Sequence, residues 1–585
     1  MPRTWRYERH DQAIIGDLCR EMRVSPLLAQ VLIARGYTNS EIANKFIHSK
    51  LTDLHDPELL PGVSEAAELI VQALSDERRI TIYGDYDVDG MTSTSLLWRC
   101  LGLAGGNVDY YIPSRLEEGY GLNCDAIREL HKQDPDRLLI SVDCGITSVE
   151  EAELANELGL ELIVTDHHQM IDQLPPAKVL VHPRLPDSRY PFGELCGAGV
   201  SFKLAWAICQ RLGDGTKASP KMREFLKSAV CLAAIGTIAD VVPLIDENRA
   251  IVRYGLAGLK ELASPGLKAL IKVCGIENNK SYTASDVGYS IGPRLNAAGR
   301  LGQARLAVEL LTTSDEERAS QLADYLDQLN KNRRTVERRI FKRAKEIVEE
   351  HPEWDSHSAI VLADEEWHPG VIGIVANRVA EHYQKPTFLI AMDGSTRIGQ
   401  GSGRTSGQVD LHSAMMACQE LLEGCGGHKA AAGLRIHADR VDEFRERFSS
   451  YVADHHEVDE LIEDLQIDAE VLLSDVTYRA IQELNMLGPF GQENSSPVFA
   501  SGQVELAKPA ATMGEGDRHL NVQFRQNGTQ LRAIAFGRGE WAEELNQHAG
   551  PIMISFEPMI NSFRGRESVE LRLLDWKAHE PAAAR

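Results

Sequence analysis

The chain has no two cysteines in a CxxC spacing; its ten cysteines are scattered, several of them in apolar stretches such as AVCLAAIG around Cys231. That distribution argues against a disulfide framework or a zinc site and predicts free buried thiols in a reducing interior. No uninterrupted apolar run reaches 18 residues, so no membrane-spanning helix and no membrane partner are expected. The opening MPRTWRYERHDQAI carries charge where a signal peptide needs an apolar segment, which predicts a protein of the compartment where it is made. Excess positive charge is missing too: the formal charge is -24, against a uniformly basic surface that coats nucleic acid. Low-complexity tracts and repeats of fixed period are absent as well.

What the chain does have is length. Its 585 residues, 43% of them apolar, are too many for one core and enough for three or four domains. Charge is spread unevenly: residues 331–345, KNRRTVERRIFKRAK, hold eight Lys or Arg against one Glu, while residues 451–470, YVADHHEVDELIEDLQIDAE, hold eight acids and no Lys or Arg. Because charge is felt over only about 10 Å at 0.1 M salt, a local basic stretch can meet nucleic acid on an acidic chain.

Residues 1–75 read as short helices, among them the amphipathic SPLLAQVLIARG and TNSEIANKFI, capped at Asn39 and Ser40. They are expected as an N-terminal extension packed on the domain that follows. From 76 to 313 apolar runs (RITIYG, DYYIP, RLLISV, ELIVT, KVLVHP) alternate with helical stretches, the pattern of a mostly parallel sheet with crossover helices. A long helix is predicted over 314–355 with the basic stretch in its middle. The α/β pattern resumes over 356–450, an acidic linker is expected over 451–469, and 470–577 reads as a small β-barrel, a form that disposes of edge strands. The fold class is α/β multidomain.

In the first α/β domain three strands run into acids. ITIYG leads to Asp85, Asp87 and Asp89, LLISV to Asp143, and ELIVT to Asp166-His167-His168; Asp240 ends the apolar stretch CLAAIGTIAD. Sheets of this kind carry functional groups on loops at the carboxyl ends of strands. Carboxylates gathered at one edge repel one another and burial raises the cost, so a positive partner is needed. Two divalent ions about 3.5 to 4 Å apart, Mn2+ or Mg2+ given oxygen and imidazole donors, meet that need. Singly, each piece has a plainer reading: a turn or calcium loop, a helix cap, a surface histidine pair. Their succession after parallel strands favours metal. A second triplet, Asp454-His455-His456, follows a helical end inside the acidic run and is expected as solvated surface.

These motifs resemble the DHH phosphoesterase superfamily, and within it the bacterial single-strand-specific 5′-to-3′ DNA exonucleases. The likeness rests on YGDYDVDGMTSTSLL (83–97), IPSRLEEGYGLN (112–123), SVDCGITS (141–148), VTDHH (164–168), GTIADVVPL (236–244) and GPRLNAAGRLG (292–302). In the second half EEWHPGVIGIVA (365–376), GSGRTSG (401–407) and GGHKAAAG (426–433) resemble the DHHA1 partner domain. The resemblance implies that Asp87, supported by Asp85, holds one ion, that Asp89, His167 and Asp240 hold the other, and that Asp143 bridges them. His168 would contact the scissile phosphate or help a proton move. Asp143, His168, Asp87 and Asp89 are then the catalytic set, acting by two-metal activation of water. Phosphatase branches have His where this chain has Tyr83, so a first site that is all-oxygen or more open is expected.

The partner domain has to supply positive charge and N–H donors. Arg115, Ser402 and Arg404 match family positions around a terminal 5′-phosphate, and His428 is expected just before a helix whose N-terminus favours phosphate. The glycines of GSGRTSG read as a flexible turn. The basic helix, through Arg333, Arg334, Arg338 and Arg339, is a candidate rail for the strand. The last domain resembles an oligonucleotide-binding (OB-fold) barrel, with Phe563, Arg564 and Arg566 at a turn suited to stacking and phosphate contact.

The implied activity is a metal-dependent exonuclease that releases 5′-mononucleotides from single-stranded DNA with a free 5′ end. Its setting would be DNA recombination and repair in the bacterial cytoplasm, as a monomer, in company with single-stranded-DNA-binding protein and a helicase. One rival is a DHH-type manganese phosphatase or a phosphodiesterase of short oligonucleotides or cyclic dinucleotides, which needs neither barrel nor basic helix. The other is a non-catalytic DNA-binding scaffold, which has no need to keep every ligand position.

Overall fold

A computed structural model describes residues 4–8, 10–115, 118–405, 409–455, 464–563 and 566–578. The chain divides into two compact units, Lys50–Leu461 and the pair of segments Met1–Ser49 and Ile462–Arg585.

The larger unit begins with α1 (Val63–Ser75), whose buried Val63, Ala66, Ala67, Ile70 and Ala73 form one apolar stripe. Five short strands follow: β1 (Ile80–Tyr83), β2 (Val108–Tyr111), β3 (Leu138–Val142), β4 (Glu161–Thr165) and β5 (Val179–Val181). Helices α2 (Val88–Leu103), α3 (Cys124–Gln133) and α4 (Val149–Glu157) connect the first four. All neighbouring pairs are parallel, in the order β2-β1-β3-β4-β5. Strands β1 and β3 are buried throughout, which is why they read as unbroken apolar runs rather than alternating ones. The strand order reverses between β1 and β3, the place where sheets of this class open a crevice at the strand ends.

Helices α5 (Gly197–Arg211) and α6 (Pro220–Ala239) extend the same core, which also takes in α2. Further on come α7 (Gly292–Arg300) and α8 (Glu316–Glu350), the predicted long helix, capped by the Asp315 carboxylate accepting from Glu317 and Arg318 N–H at 2.8 and 3.0 Å. At 1.5 Å per residue α8 is about 50 Å long.

The second sheet contains β6 (Ile360–Asp364), β7 (Thr387–Met392), β8 (Ile398–Arg404), β9 (Leu422–Gly427) and β10 (Ala431–His437), with α9 (Ile372–Tyr383) between β6 and β7 and α10 (Val441–His455) after β10. Its order is β9-β10-β8-β7-β6, and only β6 and β7 run parallel. Two expectations change here. GGHKAAAG is a β-turn between antiparallel strands rather than the start of a helix: His428 N–H donates to Ala431 O at 2.8 Å, and the buried Ala432, Leu434 and Ile436 reveal a period of two hidden in an alanine-rich run. In GSGRTSG, Gly401 and Gly403 serve packing, and Gly407 lies outside the described residues. A Cβ on Gly401 would lie 2.6 Å from Leu434 Cδ1 and one on Gly403 2.4 Å from Phe388 Cζ, so β8 shows glycine to the core and Ser402 and Arg404 to the other face.

The smaller unit corrects the placement of the N-terminal extension. Helices 12–22, 26–34 and 40–47 share one core with residues 469–573: Leu28, Val31 and Leu32 belong with Leu473, Ile481 and Leu484. Trp5–Tyr7 pairs in parallel with Leu465–Ile467, and Arg35 sits 3.5 Å from Asp468. Of the expected N-terminal extension only the part from Lys50, including α1, joins the first α/β domain. An apolar helical face carries no mark of its partner, so proximity in sequence misled. Part of the stretch expected as an acidic linker is regular structure, since 451–455 close α10 and 465–467 form a strand; His456 lies outside the described residues.

The rest of this unit is a seven-stranded, partly closed sheet: β11 (Ala469–Glu470), β12 (Phe499–Leu506), β13 (Ala511–Met513), β14 (His519–Gln526), β15 (Thr529–Ala535), β16 (Ile552–Phe563) and β17 (Arg566–Ala578). Its order is β11-β12-β16-β17-β15-β14-β13, and an added pairing of β12 with β14 curls it toward the expected barrel.

Candidate active site

The acids arrive on the loops after β1, β3 and β4. Asp87 is the N-cap of α2, its carboxylate accepting from Gly90 N–H at 3.0 Å, and Asp89 lies in the first helical turn, where the helix dipole favours negative charge. Glycine is required at position 90, because a Cβ there would lie 2.6 Å from that of Asp85. Asp143 leaves β3 with φ of 63°, a left-handed conformation uncommon outside glycine and characteristic of functional sites. The first amides of α5 grip Asp89: Gly197 and Ala198 N–H donate to its carboxylate at 2.6 and 2.9 Å. A Cβ on Gly197 would lie 2.4 Å from Asp143 Oδ1, so only glycine lets the helix come so close.

His167 enters from β4 and Asp240 from the end of α6. His167 Nε2 lies 3.3 Å from Asp143 Oδ1, 3.5 Å from Asp240 Oδ2 and 3.8 Å from Asp89 Oδ2. Among the described residues three groups bring ligand atoms within 4.8 Å of one another: Asp89, His167 and Asp240; Asp85, Asp87 and Asp143; and Asp143, His167 and His168. All six positions named as metal ligands are thus gathered, with Asp143 common to two of the groups. Tyr83 is turned away from them, its hydroxyl donating to Gly121 O at 3.1 Å and accepting from Asn123 at 3.0 Å.

The electrostatics of this cluster call for a cation. Burial lifts the Asp143 carboxyl well above its ordinary range, and Asp89 and Asp87 add repulsion. Asp85 is raised by burial and by Asp87, and Asp240 reaches about 8 through burial, Asp89 and Asp87. Burial pushes His167 down to about 4, leaving a neutral imidazole with a free lone pair. Asp85 Oδ1, Asp143 Oδ1 and His167 Nε2 are buried without any hydrogen-bond partner. Three such orphans in one place are costly, and a divalent ion satisfies them together. Hard carboxylate oxygens with one imidazole fit Mn2+ or Mg2+.

His168 has a different environment. Asp166 accepts from Ile146 N–H at 2.9 Å, His167 N–H at 2.7 Å and His168 Nδ1 at 2.7 Å. Against its own burial, Asp166 is drawn down to about 2, chiefly by His168, and His168 rises to about 9 because Asp166 outweighs burial. Tyr120 closes the set, its hydroxyl 3.1 Å from both Asp143 O and His168 Nδ1.

Beside the acids stands a group of guanidinium side chains. Arg300 ends α7, and Gly299 lets that helix rest on the Asp85–Asp87 loop, since a Cβ there would lie 2.0 Å from Tyr86 O. Arg300 Nη1 donates to Gly370 O at 3.2 Å. Burial, together with the like charges of Arg115, Arg333 and Arg404, brings Arg300 down to about 10, while Asp87 opposes the shift. Arg115 lies 5.0 Å over the ring of Tyr86, and Arg404 Nη1 donates to Ser402 Oγ at 3.2 Å. Helix α9 begins without a side-chain cap, and its Gly373 would place a Cβ 2.9 Å from Ser402 Oγ and 3.1 Å from Arg404 Nη2. An uncapped helix start beside serine and arginine is suited to an anion. A cavity of about 420 Å³ opens there, lined by Arg115, Gly373, Gln400, Ser402 and Arg435.

Other sequence candidates lie apart from this arrangement. The His428 side chain is exposed on its turn and makes no hydrogen bond or ion pair among the described residues. On α8 Arg333 turns inward, 3.6 Å from Glu337, whereas Arg334, Arg338 and Arg339 are exposed. Arg566 is exposed at the start of β17; the Phe563 side chain and Arg564 lie outside the described residues. Sequence reasoning missed Arg300, Tyr120 and the role of Asp166. Arg300 and Tyr120 stood inside quoted motifs, but nothing local marks an arginine or tyrosine as facing a cluster assembled from distant strands.

Comparison with known proteins agrees with this architecture. The DHH family, N-terminal domain, matches residues 79–237, the DHHA1 domain 356–454 and the RecJ OB domain 467–575. The single-stranded-DNA-specific exonuclease RecJ of Bacillus subtilis (strain 168) is 38% identical over 571 residues, 98% of this chain and 70% of that one. Its namesake in Escherichia coli (strain K12) is 33% identical, over 93% of this chain and 95% of that one. Among solved structures, RecJ of Thermus thermophilus in complex with Mn2+ superposes with a TM-score of 0.82 at 31% identity, covering 99% of this chain and 80% of that one. Identity above 30% across nearly the whole length settles kinship: the chain belongs to the RecJ family of single-stranded-DNA-specific exonucleases.

Proposed function

We propose that this chain hydrolyses the phosphodiester bonds of single-stranded DNA from a 5′ end, releasing 5′-mononucleotides, with two divalent ions as cofactors. The observation that carries the reading is the meeting of three buried, unpartnered ligand atoms, on Asp85, Asp143 and His167, with a guanidinium group that includes Arg300. Bound divalent ions supply a water of lowered pKa and neutralise charge on the phosphate.

Each side chain then has a task. Asp87 and Asp85 would hold one ion and Asp89, His167 and Asp240 the other, with Asp143 within reach of both groups. The amides of Gly197 and Ala198 keep Asp89 aimed. His168, kept protonated by Asp166, offers a charged hydrogen bond to the scissile phosphate. Arg300, between the acids and the second domain, steadies the same phosphate group, and Arg115, Ser402, Arg404 and the start of α9 take the terminal 5′-phosphate. As water oxygen joins phosphorus, the bond to the 3′ oxygen of the outgoing nucleotide breaks, leaving a 5′-phosphate on the shortened strand for the next cycle.

A phosphatase or short-oligonucleotide phosphodiesterase has no use for the RecJ OB domain, and the full-length relatives favour the exonuclease. The same reading places the chain in the bacterial cytoplasm, as a monomer working beside single-stranded-DNA-binding protein and a helicase; kinship is its support. Among the described residues no helix is long and apolar enough to cross a membrane. The test is digestion of a 3′-labelled single strand and the matching duplex with Mn2+, Mg2+ or chelator. Metal-dependent shortening of the single strand alone is expected; equal attack on the duplex, or turnover in chelator, refutes the proposal.

A further inference from the structure

One residue at the mouth of the acid centre is there neither for burial nor for backbone comfort. Asp240 caps the end of α6, and Val241 follows it at φ of 60°. Helices commonly end with one left-handed residue, usually glycine and sometimes asparagine. For a β-branched residue that conformation is an outlier, since Cβ crowds the following carbonyl. Strain of this kind is offset elsewhere by burial of the side chain, yet Val241 is 64% exposed. The backbone turn itself does not require valine, because glycine would make the same turn, with the Val241 N–H still donating to Ile238 O at 3.3 Å. What valine adds is an apolar knob held in solvent, one peptide bond from an acid whose Oδ2 lies 3.5 Å from His167 Nε2. Tyr120, 51% exposed and anchored on Asp143 O, presents an apolar ring from another loop of the same centre.

We infer that Val241 is a substrate-contacting residue: its side chain packs on the base of the nucleotide being released and holds that nucleotide in register with the acid centre. An aliphatic contact is indifferent to base identity, as a sequence-independent nuclease needs, because every base has an apolar face. The inference rests on the exonuclease reading, and the experiment separates the two.

Wild-type, Val241→Gly and Val241→Asn proteins are compared on a 3′-labelled single strand and on one whose 5′-terminal nucleotide lacks its base. Thermal melting and Mn2+ binding are measured alongside. Glycine and asparagine relieve the left-handed strain, so both variants should melt at or above the wild-type temperature and bind Mn2+ as tightly. On the normal strand kcat/KM should fall about tenfold, the scale of removing a small aliphatic group from a binding surface. On the baseless strand variant and wild type should be equal. Unchanged kcat/KM on the normal strand overturns the inference, as does a loss that persists without the base or one that tracks weakened Mn2+ binding, which would make Val241 a prop for Asp240. A wild-type protein unable to shorten DNA overturns the exonuclease reading and this inference with it.

Discussion

Two stretches of the larger unit share the letters Asp-His-His and almost nothing else. Asp166-His167-His168 follows a buried parallel strand, and its side chains meet Asp89, Asp143 and Asp240 from three other segments. Asp454-His455 sits at the end of α10, where the His455 ring stacks on Tyr451 at 3.9 Å and its Nδ1 lies 2.9 Å from the Tyr451 carbonyl oxygen. The arginines repeat the lesson: Arg115, Arg300 and Arg404 converge, while Arg334, Arg338 and Arg339 spread along an exposed helix face. Chemistry follows convergence rather than composition.

The comparison can be broken most decisively at the triplets. His167→Ala should lower kcat by roughly 10³- to 10⁴-fold, the range for losing a central catalytic group, whereas His455→Ala should leave single-strand digestion unchanged. Comparable losses in the two variants would erase the distinction. A smaller effect is expected at the convergent arginines: Arg404→Glu should cut activity on 5′-phosphorylated strands by about a hundredfold, as removal of a charge-assisted phosphate contact does, and activity on 5′-hydroxyl strands much less. Equal losses on both would remove Arg404 from end recognition.

Titration of the metal-free protein sharpens the same contrast. Asp240 keeps its proton up to about pH 8. A carboxyl with a folded value above its unfolded 3.8 contributes stability that is full below 3.8 and lost as pH rises toward about 8. The metal-free protein should therefore melt at progressively lower temperature over that window, and Mn2+ should bind more tightly toward pH 8, where it no longer displaces that proton. Calorimetry across the range checks both, and a flat profile counts against the crowding of these acids. The least effect belongs to the spread arginines. Neutralising Arg334, Arg338 and Arg339 together should weaken single-strand binding a few-fold and flatten its salt dependence by up to about 0.7 for each phosphate no longer paired. An unchanged slope would leave α8 a spacer.

Much of this was legible in the sequence because buried parallel strands have a plain signature. Strands β1, β3 and β4 were readable as apolar runs, and the acids at their ends could be named before any geometry was known. The barrel followed from turn signals and the long helix from its length. What escaped reading depends on contacts between distant segments. Arg300 matters because α7 is carried back onto the Asp85–Asp87 loop, and Asp166 because its carboxylate accepts from Ile146 N–H on a separate loop while holding His168. The GGHKAAAG hairpin hid its alternation behind alanines, and helices 12–47 gave no hint that their partner lies more than four hundred residues away.

That last pairing has a consequence for biosynthesis. Helices 12–22, 26–34 and 40–47 share their core with segments translated more than four hundred residues later, so at about 5 to 20 residues per second they wait tens of seconds for a mate. Throughout that interval Leu27, Leu28, Val31 and Leu32 are adhesive patches on a nascent chain, and loss of either segment, by proteolysis or a premature stop codon, would orphan the other and invite chaperone capture.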